Sequence, residues 1–254
     1  CIIFPIILKE LGVYNLPTNV PANEFLNLEG NKLSTSRNWA IWLHEYLEDF
    51  KDQQDTLRYV LCATAPESKD TDFTWKDFQA RNNNELVAIL GNFINRVVVL
   101  TNKYWEGVVP KRNDLSEIDN NALNEMLEYP KKIGDVIEKY RLREGLHELM
   151  NLARLGNKYL AETEPWKLKK SDEKRTETII NVAIQISAAL AILCEPFLPY
   201  TSKKLKTLLN LKETDWDQIN TTLISEQQKI NKHEHLFRKI EDHEIERQLE
   251  KLNS

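Results

Sequence analysis

Six consecutive residues, Lys32-Leu33-Ser34-Thr35-Ser36-Arg37, put a lysine, three hydroxyls and an arginine on one short stretch. Lysine offers a mobile point charge to phosphate oxygens, and hydroxyls beside free backbone N–H groups can donate hydrogen bonds to an anion. The same residue types also make ordinary surface turns, because hydroxyl side chains satisfy a tight backbone locally. A second group is Asn92 with Arg96, spaced i, i+4 in a helical pattern and so stacked on one face, away from the apolar stripe. Together an amide and a guanidinium can read the edge of an unpaired base through planar, multi-point hydrogen bonding, or they can simply bond to helix neighbours. A third is Glu164-Pro165-Trp166. Proline ends a helix there, and an indole on the rigid turn that follows can stack on a splayed base or cap the core beneath the helix end.

The histidines add no chemistry of this kind. His233, His235 and His243 are spaced so that no helix face gathers them, and His44 and His147 stand singly within helical patterns. No Ser-His-Asp or Cys-His grouping is present to suggest a nucleophile. Cys1, Cys62 and Cys194 are too widely separated for a metal-ligand spacing or a disulfide framework, so they are expected reduced, as in a cytoplasm.

These groups need a scaffold, and the chain divides into two kinds of sequence. Up to about residue 80, Gly12, Pro17, Pro21 and Gly30 punctuate short segments. There Glu24 to Leu28 reads as a half-buried strand, Asp55 to Leu61 as a helix start with an acidic cap, and Asp70 to Phe78 as a polar, aromatic bridge. Beyond it the pattern turns helical. Leu86, Leu90, Phe93, Val97, Leu100 and Tyr104 form one stripe on a helix from about Asn82 to Trp105. Further helices are expected over about 122–128, over 133–161 with Ile137, Tyr140, Leu146, Met150, Ala153 and Leu160 inward, over 176–193 as the central helix, and over 202–209. A polar connection over 212–232 then leads to a charged amphipathic segment over 233–252. The fold class is therefore mainly α, a helical bundle preceded by a small α/β part.

The chain has 254 residues, 41% hydrophobic and 29% charged, which suits a globular protein with a substantial core. No apolar run is expected to span a bilayer, and no membrane partner is expected. Net charge is −5, which argues against coating nucleic acid through a general basic field. Between Lys131 and Arg175, however, twelve Lys and Arg stand against eight Asp and Glu, so local attraction to a phosphate backbone remains possible alongside a solvated mixed-charge surface. The apolar start, Cys1 to Leu8, lacks a signal-peptide pattern and should pack against something, from which an upstream domain is expected.

Taken together, the three groups resemble the C-terminal half of the class I methionyl-tRNA synthetase family. Lys32 to Ser36 with Arg37 is similar to that family's second signature, usually Lys-Met-Ser-Lys-Ser, and follows a strand ending in Glu29-Gly30-Asn31. Asp55 to Tyr59 and Asp72-Phe73 resemble the linker between catalytic domain and bundle. Asn92 and Arg96 fall on the asparagine and arginine of the first long bundle helix, and Tyr159 through Pro165-Trp166 resembles the Tyr-to-Pro-Trp turn. The likeness runs from Phe4-Pro5 to the Leu236 to Asp242 tail. Two departures stand out. Thr35 replaces the usual second lysine, and no His-Ile-Gly-His signature occurs.

The resemblance implies a division into 1–30, the end of the nucleotide-binding catalytic domain; 31–80, the signature loop and stem-contact region; 81–211, the anticodon-binding bundle; and 212–254, an extension with a final helix. It implies Lys32 as the catalytic residue within a phosphate loop of Lys32, Leu33, Ser34, Thr35, Ser36 and Arg37, and Asn92, Arg96 and Trp166 as anticodon readers. Implied partners are methionine-specific tRNA, with ATP (with magnesium) and methionine used by the full enzyme in the cytoplasm, and no metal site in this chain. The chain alone is expected to be inactive, lacking half of the active site. Two other readings stay open: another class I synthetase, and a non-enzymatic helical RNA-binding or scaffold protein.

Overall fold

A computed structural model describes residues 2–232 and 235–253. Cys1, His233, Glu234 and Ser254, and with them the expectations placed on Cys1 and His233, lie outside the described residues. The chain opens with helix α1 (Ile3–Leu11), closed by Gly12 in the left-handed conformation at φ 68°. Ile2, Ile3, Phe4, Ile6, Ile7 and Leu11 on and beside it are exposed.

A small sheet follows. Among the described residues it has three strands in the order β2-β1-β3: β1 (Leu26–Leu28) pairs antiparallel with β2 (Asn31–Lys32) and parallel with β3 (Thr71–Phe73). Glu29 and Gly30 make the hairpin turn, both at positive φ (48° and 74°), the geometry that two-residue hairpins prefer. Asp72 accepts from the Gly30 N–H at 3.0 Å, and Glu29 accepts from the Trp75 N–H at 2.7 Å. Thus Glu29, an uncommon residue for that conformation, is retained by capping the next helix.

Around this sheet lie α2 (Leu43–Asp49) and α3 (Gln54–Ala63). The predicted acidic cap is corrected here. Asp55 sits inside the first turn of α3 and accepts instead from Thr201 N–H at 2.6 Å, at the start of α11 (Pro199–Leu208). Arg58 donates to the carbonyls of Phe197 and Pro196. The linker-like Asp55 to Tyr59 stretch is therefore a clasp between the two parts of the chain. The aromatic residues of the expected polar, aromatic bridge join Phe50 in a core, in which Phe50, Phe73, Trp75 and Phe78 pack with ring centroids 5.3–6.1 Å apart.

The helix carrying Asn92 and Arg96 starts earlier than its periodicity suggested. It runs as α4 (Trp75–Arg81), a π-helical stretch (Asn82–Gly91) and α5 (Asn92–Trp105) without interruption. Leu86, Leu90, Phe93 and Val97 are fully buried, while Leu100 and Tyr104 are half-buried. The bundle continues through α6 (Glu117–Met126), α7 (Tyr129–Ile137), α8 (Leu142–Thr163), the short α9 (Pro165–Leu168), α10 (Glu173–Leu193) and α11. The single helix expected over 133–161 is in fact two. Tyr140 takes φ 61°, and the N–H groups of Tyr140 and Arg141 turn back to the Ile137 and Val136 carbonyls, closing α7 without a glycine or proline to announce it. Tyr140 accordingly faces solvent rather than the core.

Helix α10 is buried on every face from Thr176 to Cys194 apart from Glu177. By length and composition it and the Trp75–Trp105 helix are apolar enough to cross a membrane, contrary to the expectation from sequence, but 94% of the α10 window lies inside the bundle. Its polar residues are satisfied. Asn181 bonds to Pro110 and Arg112, and Gln185 to both groups of the Ile224 peptide. Past the bundle, residues 235–241 are irregular rather than helical, and α12 (Asp242–Leu252) docks on α2 through Asp49, which holds Arg247, Gln248 and Lys251 at 2.6–2.8 Å. Burial alone would raise the Asp49 carboxyl, but these donors outweigh it and hold it below its ordinary range.

Candidate functional site

The Lys32 to Arg37 loop is shaped by backbone bonds. Ser34 and Trp39 exchange N–H···O=C bonds at 2.9 Å, and the 3₁₀ turn Thr35–Arg37 sits between them, ended by Asn38 in the left-handed conformation. Two indoles buttress it. Trp39 donates to the Leu28 carbonyl at 2.8 Å and Trp42 to the Asn38 side chain at 2.9 Å. Lys32, Thr35, Ser36 and Arg37 are exposed, and the Ser34 and Ser36 hydroxyls lie 3.2 Å apart. The Lys32 ammonium rests 5.8 Å from the centre of the Phe25 ring, itself exposed. The loop thus presents two cations and three hydroxyls on a fixed turn, a set suited to phosphate oxygens. With a lysine, an arginine and hydroxyls and no carboxylate among residues 32–37, these side chains have the chemistry of an anion site.

Farther along the Trp75–Trp105 helix, the other groups converge. The Arg96 guanidinium lies over the Trp166 ring at 5.5 Å, although seventy residues separate them. Trp166 remains 39% exposed while Pro165 beside it is buried. So the ring is anchored at its base and open above, with a cation already on it. The turn bearing it is fixed on both sides. Before it, Glu164 is left-handed and pairs with Lys167 at 2.7 Å; after it, Lys169 lies 4.4 Å from the centre of the Trp105 ring.

Beneath this surface is a buried polar knot. Asp119 of α6, fully buried, takes both guanidinium nitrogens of Arg175 from α10, the Tyr159 hydroxyl of α8 at 2.5 Å and the Ser116 N–H at 2.8 Å. Burial works to raise its carboxyl, but the bonds from Arg175, Tyr159 and Ser116 win and hold it below the usual range. Burial and the neighbouring carboxylate push the Tyr159 phenol up. Since Tyr159 and Arg175 flank the Trp166 turn on either side, the knot sets where that turn leaves one helix and enters the next.

Asn92 points to a residue that sequence reasoning missed. It donates to the Asn157 side chain of α8 at 3.4 Å, and Asn157 donates to the carbonyl of Ile89 within the π-helical stretch at 2.9 Å. Asparagine inside a long helix is locally unfavourable, which was the available signal. The close approach of the two helices depends on Gly156, because a Cβ there would enter the Phe93 ring. Asn92, Arg96 and Trp166 therefore occupy one surface, whereas the Lys32 loop is attached at the Trp75 end of the helix. At 1.5 Å per residue Arg96 stands about 30 Å further along.

Half of the twelve cations expected to make a basic region between Lys131 and Arg175 are paired locally. Lys131, Lys132, Arg141, Lys158, Lys167 and Lys169 all pair with a carboxylate three or four residues away. Exposed pairs of this kind contribute little stability and leave a weak field.

Comparison with known proteins gives the family and the fold. Residues 1–98 match the family model described as tRNA synthetases class I (M), and residues 109–254 match the anticodon binding domain of methionyl tRNA ligase. Among curated relatives, a methionine–tRNA ligase of Christiangramia forsetii is 64% identical over the whole of this chain, and one of Flavobacterium psychrophilum 63%. The chain spans 38% of the length of either. Apo methionyl-tRNA synthetase of Mycobacterium tuberculosis superposes with a TM-score of 0.81 over 94% of this chain and 47% of that one, at 20% identity. The same enzyme in complex with methionyl-adenylate gives 0.80 over 93% and 47%, at 22% identity. These two likenesses are of fold.

Proposed function

The chain belongs to the methionyl-tRNA ligase family of class I synthetases, and on that premise we propose that it reads a methionine-specific tRNA with Asn92, Arg96 and Trp166 and handles the phosphates of ATP with Lys32 to Arg37. The observation that carries this reading is the Arg96–Trp166 stack, an anchored, half-open indole held under a guanidinium on rigid helices. An unpaired base can stack on such a ring while Asn92 and Arg96 bond to its edge, a mode that suits single-stranded RNA. The two rival readings, another class I synthetase and a scaffold protein, are disfavoured by the match to both family models.

In the whole enzyme the methionine carboxylate would attack the α-phosphorus of ATP, forming methionyl-adenylate and releasing pyrophosphate, and a terminal ribose hydroxyl of the tRNA would then take the methionyl group with release of AMP. Lys32 would swing from Phe25 to the phosphates as charge develops on the leaving pyrophosphate, where it does more for the transition state than for the substrate. Thr35 supplies a hydroxyl and no charge, which leaves Lys32 and Arg37 as the loop's cations. Any magnesium would travel with the triphosphate, because the loop offers no carboxylates of its own. In this reading 1–30 closes the catalytic domain, 31–80 carries the loop and stem contacts, 81–211 is the reading bundle and 212–254 the extension. The enzyme would work in the cytoplasm, consistent with Cys62 and Cys194 being unpaired thiols. Without a His-Ile-Gly-His signature this chain alone would not charge tRNA.

Trp166→Ala tests the reading. Binding of an anticodon stem-loop of methionine-specific tRNA, measured by fluorescence titration, should weaken by about 1–3 kcal/mol for one lost stacked base. Unchanged affinity together with unchanged anticodon selectivity would overturn it.

A further inference from the structure

Helix α11 carries a group of cations that neither the loop nor the proposed readers use. Tyr200, Lys203, Lys204 and Thr207 recur at i, i+3, i+4 and i+7, so they share one face of that helix, and all four are exposed. With Asn231 and Lys232 they line a cavity of about 460 Å³, and among the described residues no carboxylate lines it. In a chain of net charge −5 that is a local reversal of sign. Lys206 on the same helix pairs with Glu195 at 2.6 Å, whereas Lys203, Lys204 and Lys232 pair with no carboxylate among the described residues.

The wall opposite α11 is fixed by backbone-directed bonds. The Asn231 N–H donates to the Leu208 carbonyl and its side-chain amide to the Thr207 carbonyl, both at 2.8 Å. Gln228 donates to the Leu209 and Asn210 carbonyls at 3.2 and 2.9 Å. Lys232 follows directly, so its backbone is held near α11 while its side chain is exposed. The position in the fold is as telling. Helix α10 runs about 30 Å from the Trp166 turn to the approach to α11, where Asp55 of α3 accepts from the Thr201 N–H at 2.6 Å. The cavity therefore sits where the bundle meets the part that bears the Lys32 loop. It also shares His235 and Leu236 with a cavity that reaches Asn92, which puts the lysines and the reading surface on adjoining faces.

We propose that this cavity is a phosphate-binding site for the RNA backbone outside the anticodon loop, with Lys203, Lys204 and Lys232 on phosphodiester oxygens and the Tyr200 ring against the neighbouring ribose. The proposal rests on the anticodon-reading function given above, because an RNA with its loop on Trp166 and its end at the Lys32 loop must cross the junction between them. Such contacts add affinity and fix register without reading sequence.

Replacing Lys203, Lys204 and Lys232 together by glutamine in the complete enzyme tests this. Binding of whole methionine-specific tRNA should weaken roughly tenfold, and the slope of log affinity against log salt should fall by about two to three, one phosphate contact per lysine. Binding of the isolated anticodon stem-loop should not change, because salt confines each charge to about 10 Å. Replacement of the same three lysines by arginine should retain the affinity of the parent. Unchanged affinity and slope for whole tRNA would overturn the site, and so would an equal loss for the stem-loop, which would mark a general charge effect. AMP that binds the parent and not the glutamine variant, with tRNA affinity kept, would give the cavity to a free nucleotide and likewise overturn the proposal. Trp166→Ala, measured alongside, separates the two levels. If it weakens stem-loop binding while the glutamine variant keeps its whole-tRNA affinity, the phosphate site fails and the reading function stands; if Trp166→Ala changes nothing, the reading function itself fails.

Discussion

The Lys32 loop and the Trp166 surface solve different problems with different materials. The loop is a hairpin extension on a sheet of two- and three-residue strands, shaped by main-chain bonds and two indole props, with its reactive side chains left in solvent. The Trp166 surface is assembled from side chains on α5 and on the turn between α8 and α10, with a buried knot tying α8 and α10 to α6. On the roles proposed for them, the contrast teaches that a group which must move onto developing charge can be carried on an exposed turn, whereas groups that recognise shape must be held before the partner arrives.

Breaking the knot should show the largest effect. Asp119→Ala leaves the Arg175 guanidinium and the Tyr159 hydroxyl without their acceptor, and destabilisation of roughly 3 kcal/mol is expected in urea unfolding, at the low end for a buried pair because Arg175 keeps some access to water. The pH profile sharpens this. Because the folded carboxyl of Asp119 is held below its unfolded value, its stabilisation is complete above about pH 4 and is lost as the pH falls through the folded value. Melting temperature should therefore drop in acid, and Asp119→Asn should reduce that drop without abolishing it, since Asp49 and Glu244 are held low as well. An unaltered acid profile would remove the knot from the account.

Gly156→Ala comes next. The added methyl cannot enter the Phe93 ring without moving α8 from α5, which should cost about 1–3 kcal/mol and loosen RNA binding together. If thermal melting shifts but affinity for the stem-loop is kept, the helix spacing does not position Asn92. At the other extreme, Lys32→Ala in the complete enzyme should leave stability within about 0.5 kcal/mol, as for other exposed side chains, while lowering ATP–pyrophosphate exchange more than methionine affinity. A large loss of stability would contradict the division of labour between the two regions.

How much of this was legible in the sequence differs in the same way. Helix α10 and the stripe from Leu86 to Val97 were visible because apolar residues at helical spacing report a buried face directly. The break at Tyr140 was hidden, since a left-handed tyrosine leaves no compositional mark, and so was the destination of the Asp55 carboxylate, which serves a helix start about 145 residues away. At the site, Lys32, Asn92, Arg96 and Trp166 could be picked out by residue type and spacing. Their supports could not. Asp119, Asn157 and Arg175 act through contacts between distant helices.

The docking of α12 has a consequence for how the chain comes into being. Asp49 precedes its partner Arg247 by 198 residues, and Asn83 precedes Ile240 by 157. Contacts that distant must wait for loop closure and for the ribosome to deliver the later segment. The small sheet and the bundle can each form before the strap that laces them is made, so a ribosome stalled before residue 235 would hold a nascent protein with a folded bundle and an open seam.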